Sequence, residues 1–171
     1  NTSSSAETTA KQLERHLKKM GISLSYRDFL DQGTYRESLC LRIGVSGHRT
    51  FKYPDAVRKR LKELGARLRA DFPEHTWCVV TSLAEGADRF VPQVLAEIGP
   101  LAIEVELPLE INDYIRDFDG EASRNEFFEW LGRASEVRFP FTKASSRENA
   151  YLCAGERVVD VCDYMIFLWD E

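Results

Sequence analysis

The sequence predicts an α/β protein built as a three-layer sandwich, with a mostly parallel sheet of about five strands and helices on both faces. Three observations carry that expectation. Five short apolar runs alternate with helical patterns along residues 39–171. The runs read as continuous apolar stretches and not as alternating ones, as in strands buried on both faces of a parallel sheet. Two of the runs end in a glycine turn just before a helix, at Ser46–Arg49 and at Ser82–Asp88.

Each element has its own signal. Residues 1–10 are small and polar and read as a linker. A helix is expected from Ala6 to Met20, with Leu13, Leu17 and Met20 on one stripe and Gly21 as its stop. Residues 22–38 carry no clear pattern. The first strand spans 39–46. The next helix starts at Tyr53-Pro54-Asp55, with Asp55 as the expected N-cap. Val57, Leu61, Leu64, Leu68 and Phe72 form its apolar stripe, and Pro73 ends it. Its other face, with Arg58, Lys59, Lys62 and Arg69, reads as solvated.

Strand two covers Thr76–Leu83. Ala87, Val91, Val94, Leu95 and Ile98 then continue as a helical stripe closed by Gly99-Pro100. Pro92 is expected to delay or kink that helix. Strand three runs Leu101–Leu107 and stops at Pro108. Asp113–Ala134 is helical in two pieces broken near Gly120. Val137–Phe141 is a short fourth strand, Glu148–Val161 a helix, and Tyr164–Trp169 a fifth strand ending at Asp170-Glu171.

Composition bounds the function. The chain has 171 residues, 43% of them hydrophobic and 30% charged, with a net charge of −5. One domain with a full core fits this length. An acidic balance argues against broad nucleic-acid binding but leaves room for a local basic pocket. Cys40, Cys78, Cys153 and Cys162 form no C-x-x-C pair and read as reduced cysteines, mostly in the core, of a cytoplasmic protein. His16, His48 and His75 lack metal-ligand spacing, so neither metal nor cofactor is expected. No run is long enough to span a bilayer and no signal peptide is visible. The chain opens on Asn1 and a Thr-Ser-Ser-Ser leader, which suggests a piece of a longer chain, with 1–38 as linker and amphipathic helix and 39–171 as the domain.

In open parallel sheets, ligands bind beyond the carboxyl ends of the strands. Gly44, Ser46, Gly47, His48, Arg49, Ser82, Leu83, Ala84, Glu85, Gly86, Ala87, Asp88, Pro108 and Asp170 all fall on that rim. Arg49 has a planar fork suited to phosphate oxygens. His48 is a candidate for a ribose or phosphate contact. Ser46 and Ser82 carry hydroxyls that either bind phosphate or cap the following turns. Gly47 and Gly86 let backbone approach the ligand.

The two turns together carry a resemblance. Gly44-Val45-Ser46-Gly47-His48-Arg49 and Leu83-Ala84-Glu85-Gly86-Ala87-Asp88 resemble the turns of the SLOG superfamily of Rossmann-like domains. The similarity continues through Leu107-Pro108, Tyr114 with Asp117-Phe118, Ala150-Tyr151 with Gly155, and Asp163 leading to Trp169-Asp170, over about residues 39–171. The resemblance implies binding of a nucleotide-derived ligand, ADP-ribose-like or a cyclic nucleotide. It also implies a sensor role in bacterial anti-phage defence, with an effector domain in the same or a partner chain. The LOG phosphoribohydrolases and DprA proteins are more distant relatives. Members usually continue past Trp-Asp-Gly into a Gly-Gly-Thr turn; here Glu171 follows Asp170, so the domain is expected to be truncated at its C-terminus.

Sensor and enzyme divide at Glu85. N-glycosidic cleavage needs a carboxylate that activates water or stabilises an oxocarbenium-like centre, and Glu85 would be that residue. It is equally placed to accept from ribose hydroxyls. Asp88 reads as a charge at a helix start, and Asp170 as a ribose contact or a cap. Without the Pro-Gly-Gly-x-Gly-Thr signature of LOG enzymes, the sensor reading leads; the hydrolase and an assembly module with a vestigial pocket are the alternatives. The leader stripe adds an expectation of homo-oligomers, most simply a two-fold dimer.

Overall fold

The structure is a computed structural model that describes residues 39–139 and 145–169. The expected N-terminal helix and Asp170 lie outside the described residues. The element order is β1 (Cys40–Gly47), α1 (Pro54–Asp71), β2 (Thr76–Thr81), α2 (Ala87–Ala96), β3 (Leu101–Glu106), α3 (Ile111–Tyr114) with a 3-10 turn (Ile115–Asp117), α4 (Gly120–Gly132), β4 (Glu136–Arg138), α5 (Arg147–Val161) and β5 (Tyr164–Leu168).

All strand pairs are parallel, in the order β4-β3-β2-β1-β5. The chain moves outward from β1 through β2 and β3 to β4, then crosses back to place β5 on the other side of β1. The direction therefore reverses at β1 and β5, which puts a crevice at their carboxyl ends. Asp163 joins the two strands at the opposite end: the Arg42 N–H donates to its carboxylate (2.8 Å), and its own N–H donates to the Arg42 carbonyl (2.8 Å).

The layers follow from side-chain alternation. Leu41, Ile43, Val45, Trp77 and Val79 face α1 and α2, packing against Leu61, Leu68, Val91, Val94 and Leu95. Ile103 and Val105 continue that face beneath α4, against Phe127 and Trp130. Cys78 and Val80 face the other way, toward Val158 of α5. Gly44 is on that face too, and a Cβ there would meet Met165 Sδ at 2.3 Å and Val158 at 3.0 Å. Helices thus cover both faces, as the sequence predicts.

Several local expectations are corrected. The N-cap of α1 is Tyr53, in left-handed backbone (φ 54°), and Asp55 lies inside the first turn. Pro54 takes the first helical position, where its missing N–H costs nothing, and that moves the N-cap back from Asp55 to Tyr53. Leu64 of the expected stripe is 39% exposed; Leu61, Gly65 and Leu68 are the buried positions. Gly65 brings α1 against α2, where a Cβ would strike Ile98 at 2.4 Å. Of the four cysteines, all free, only Cys78 is buried. Helix α5 begins at Arg147, capped by the Ser146 side chain, which accepts from the Asn149 N–H (3.1 Å).

Strand β3 departs from the continuous apolar pattern. Glu104 and Glu106 point toward the α5 face and are 7% and 1% exposed. Arg138 donates to both (3.0 and 2.8 Å), and Arg157 of α5 donates to Glu106 (2.9 Å). Buried carboxylates persist when paired and hydrogen-bonded in this way. This ion network fastens α5 and β4 to the sheet.

Candidate functional site

The second turn begins with a problem posed by Pro92. It lies inside α2 and has no N–H, so the carbonyl of Asp88, four residues back, loses its helical donor. The Thr81 hydroxyl supplies the replacement, donating to Asp88 O at 3.0 Å. The same hydroxyl oxygen accepts from the Leu83 N–H at 3.1 Å. Helix α2 therefore starts at Ala87 without the delay expected from Pro92. Leu83 is fully buried in left-handed backbone, at φ 58°. Its carbonyl accepts from Arg89 Nε (2.9 Å), whose guanidinium is almost wholly buried and lies 4.6 Å from the Phe118 ring centre.

The Asp88 carboxylate turns back under the loop and accepts from the Ala84 N–H at 3.2 Å. Its side chain is buried, and that burial drives its pKa up. Hydrogen bonds from the Ala84 and Ser82 amides and the Arg89 charge offset part of the rise, leaving it at about 6.

The two glycine turns are packed against each other. Gly86 has φ +82°, and a Cβ there would stand 2.2 Å from the Arg49 carbonyl oxygen. A Cβ on Gly47 would stand 2.4 Å from Leu168 O and 2.8 Å from Ala87 Cβ. The Ala87 N–H donates to the His48 carbonyl (3.1 Å), and the His48 N–H to the Leu168 carbonyl (3.0 Å). Glycine is needed at these points for backbone to approach backbone. The His48 ring lies 4.4 Å from that of Trp169.

A cavity of about 610 Å³ opens at the reversal between β1 and β5, roofed by α5. Its floor includes Ser46, Gly47, Ser82, Ala84 and Asp88 from the two turns. Tyr114 of α3 and Tyr151 and Gly155 of α5 stand around it, and Leu152, Val159 and Phe167 form an apolar wall. Its volume falls in the range of small-molecule sites. Among the described residues, its charged lining residues are Asp88, Glu156 and Asp160, and no Lys or Arg lines it. The Tyr114 hydroxyl donates to the Ser82 carbonyl (3.1 Å) and braces the floor.

The remaining candidates lie off the cavity. Leu83 and Ala87 are core residues and Pro108 is buried beyond β3. Gly44 is beneath α5. Glu85 has both carboxylate oxygens engaged: one accepts from the Ser123 hydroxyl and the Asp119 N–H (2.7 Å), the other pairs with Arg49 (3.5 Å). Burial pushes its pKa up, but these bonds and the Arg49 and Arg89 charges outweigh it and leave the carboxyl below its ordinary value. Arg49 also donates to the Asp117 carbonyl (2.9 Å). Glu85 and Arg49 thus tie the first two turns to the 3-10 turn and to α4.

Tyr114, Tyr151, Gly155 and Arg89 did not stand out as site residues in the sequence. The i, i+4, i+8 spacing of Tyr151, Gly155 and Val159 was the available signal for the first helix face over the cavity. Arg89 had none, since an arginine in a helix reads as solvent-facing. Among the described residues, no group of three or more His, Cys, Asp or Glu is placed to hold a metal, and no helix is long and apolar enough to cross a membrane. The sequence matches no protein-family model and no curated protein. What the structure defines is a Rossmann-like α/β domain with a cavity of about 610 Å³ at its strand reversal.

Proposed function

We propose that this cavity binds a nucleotide-derived small molecule and that the domain acts as a ligand sensor. One observation carries the reading: the cavity floor is built from both glycine turns, at the carboxyl ends where the sheet reverses. Its chemistry suits a nucleoside. Leu152, Val159 and Phe167 offer an apolar wall for a base, while Ser46 and Ser82 offer hydroxyl partners for ribose. The motifs shared with SLOG domains point to the same ligand class, ADP-ribose-like or cyclic, and to control of an effector in bacterial anti-phage defence.

Binding is favoured over turnover. The carboxylate a hydrolase would use, Glu85, does not line the cavity and is held on both oxygens. General-base work needs a free oxygen within reach of a water at the sugar.

Gly155→Phe is the test. Nothing lies within 4 Å of a Cβ at Gly155, so the ring would fill the cavity from the helix side without displacing the fold. Calorimetry with ADP-ribose, NAD, AMP and cyclic nucleotides on the natural sequence should find a binder, and the variant should lose that binding while its melting temperature is kept. A binder retained by Gly155→Phe with equal affinity would place the ligand elsewhere.

A further inference from the structure

We infer that Arg49, Arg147 and the Tyr151 hydroxyl form a subsite for the ligand's anionic group, and that the Asp117 carboxylate fills this subsite while no ligand is bound. The inference rests on the cavity being a nucleotide site and adds where the phosphate goes.

The first strand of the argument is charge. Among the described residues, the charged groups lining the cavity are Asp88, Glu156 and Asp160, all acidic. A phosphate placed among them would meet like charge in a partly enclosed space, which is unfavourable. The anionic part of a nucleotide must therefore sit at the rim, next to cations.

The second strand is convergence. Tyr151 lines the cavity, and its hydroxyl points to Asp117 Oδ2. Arg147 donates to that same oxygen through Nε (3.1 Å) and Nη2 (2.7 Å). Three donors from α5 thus meet on one carboxylate oxygen. From the first glycine turn, Arg49 reaches the carbonyl of the same residue (2.9 Å). Burial raises the Asp117 carboxyl, but the bonds from Tyr151 and Arg147 and the charges of Arg147 and Arg49 outweigh it, leaving it below its ordinary value. The Arg147 guanidinium and the Tyr151 hydroxyl meet on the carboxylate itself, and a second guanidinium, Arg49, stands on the backbone carbonyl of the same residue while paired with Glu85 (3.5 Å); together they are a donor set suited to phosphate. A phosphate has more oxygens than a single carboxylate over which to spread these donors.

The third strand is access. Arg49 and Arg147 side chains are 49% and 37% exposed, so an incoming anion can reach both without unfolding a core element. Asp117 sits in the short 3-10 turn, and displacing its carboxylate requires only a side-chain rotation. Arg147 also holds Asp113 (3.1 Å), which keeps the guanidinium at the rim when Asp117 leaves.

The test is calorimetric titration of inorganic pyrophosphate, ADP-ribose and adenosine into the natural sequence, Asp117→Asn, and Asp117→Asn combined with Arg147→Gln. Asparagine keeps a side-chain carbonyl for Tyr151 and Arg147 but removes the competing charge. Asp117→Asn should bind pyrophosphate and ADP-ribose about tenfold more tightly, the scale of one charge-assisted hydrogen bond. Adenosine affinity should not change, and the double variant should lose the gain. Equal pyrophosphate affinity in Asp117→Asn and the natural sequence overturns the inference, as does no pyrophosphate binding by any of the three. ADP-ribose binding that Gly155→Phe abolishes but Asp117→Asn leaves unaltered keeps the nucleotide cavity and refutes the subsite. A pyrophosphate gain with no nucleoside or nucleotide binding does the reverse. Carbon-detected NMR of the Asp117 carboxyl in the natural sequence is a second measure that needs no variant. Its titration should move to higher pH when pyrophosphate is added, and an unmoved titration is a refutation.

Discussion

Asp88→Asn is the substitution whose effect can be worked furthest from the geometry. Asp88 is 8% exposed beneath the cavity floor, and its carboxyl is raised from 3.8 to about 6. Each tenfold in acidity is worth about 1.4 kcal/mol, so the ionised carboxylate costs the folded state about 3 kcal/mol. The sign follows from which state holds the proton. Below pH about 4 the group is neutral in folded and unfolded chains, and there is no cost. Between pH about 4 and about 6 the unfolded chain releases the proton while the folded one keeps it, so stability falls as pH rises. Above about 6 both are ionised and the cost stays level. The Arg89 guanidinium, the Thr81 hydroxyl and the Tyr114 phenol are the polar groups facing it. Asparagine keeps an acceptor for the Ala84 N–H but faces the Ser82 amide less well, a loss of about 1 kcal/mol. Asp88→Asn should therefore be about 2 kcal/mol more stable than the natural sequence at pH 7.5 and about 0.5 kcal/mol less stable at pH 4. Urea unfolding at half-unit steps from pH 4 to 8 reads this directly, because all other titrations cancel in the difference. A difference that stays constant across the range refutes the reasoning.

Gly86→Ala should cost 2 kcal/mol or more in thermal unfolding, because φ is +82° and the added Cβ meets the Arg49 carbonyl at 2.2 Å. Thr81→Val should cost about 2–3 kcal/mol, since it strands the Asp88 carbonyl left open by Pro92 and the buried Leu83 N–H, whereas Thr81→Ser should recover most of this. Glu85→Gln should lower stability by about 1 kcal/mol or less, its contacts being partly solvated. Neither it nor the natural sequence should release base or nicotinamide from AMP, NAD or ADP-ribose over a long incubation. Release by the natural sequence that disappears in Glu85→Gln would show a hydrolase.

The sequence by itself determined the class of fold and the order of its elements. The signals that did so are local: β-branched apolar runs, helical stripes such as Ala87-Val91-Val94-Leu95, and Gly and Pro as stops. Continuous strands then force burial on both faces, and burial on both faces forces parallel pairing with helical crossovers. The two glycine turns were legible for the same reason, since a strand, a turn and a helix start are adjacent in the chain. What those glycines touch was not legible. Gly86 approaches Arg49, 37 positions away, and Gly47 approaches Leu168; only the paired strands β1 and β5 and the docking of α2 bring them together. Arg49 and Glu85 read as ligand contacts because each stands alone after a turn, yet tertiary structure gives them partners from 117–123. The burial of Glu106 depends on arginines at 138 and 157, and that of Arg89 on the Leu83 carbonyl and Ser123. The cavity itself is decided by where the chain reverses its order in the sheet, and by α5 crossing above that reversal. Local propensity records the state of each segment, but which distant side chain satisfies a buried charge, or fills the space beside a glycine, is fixed only when the layers pack.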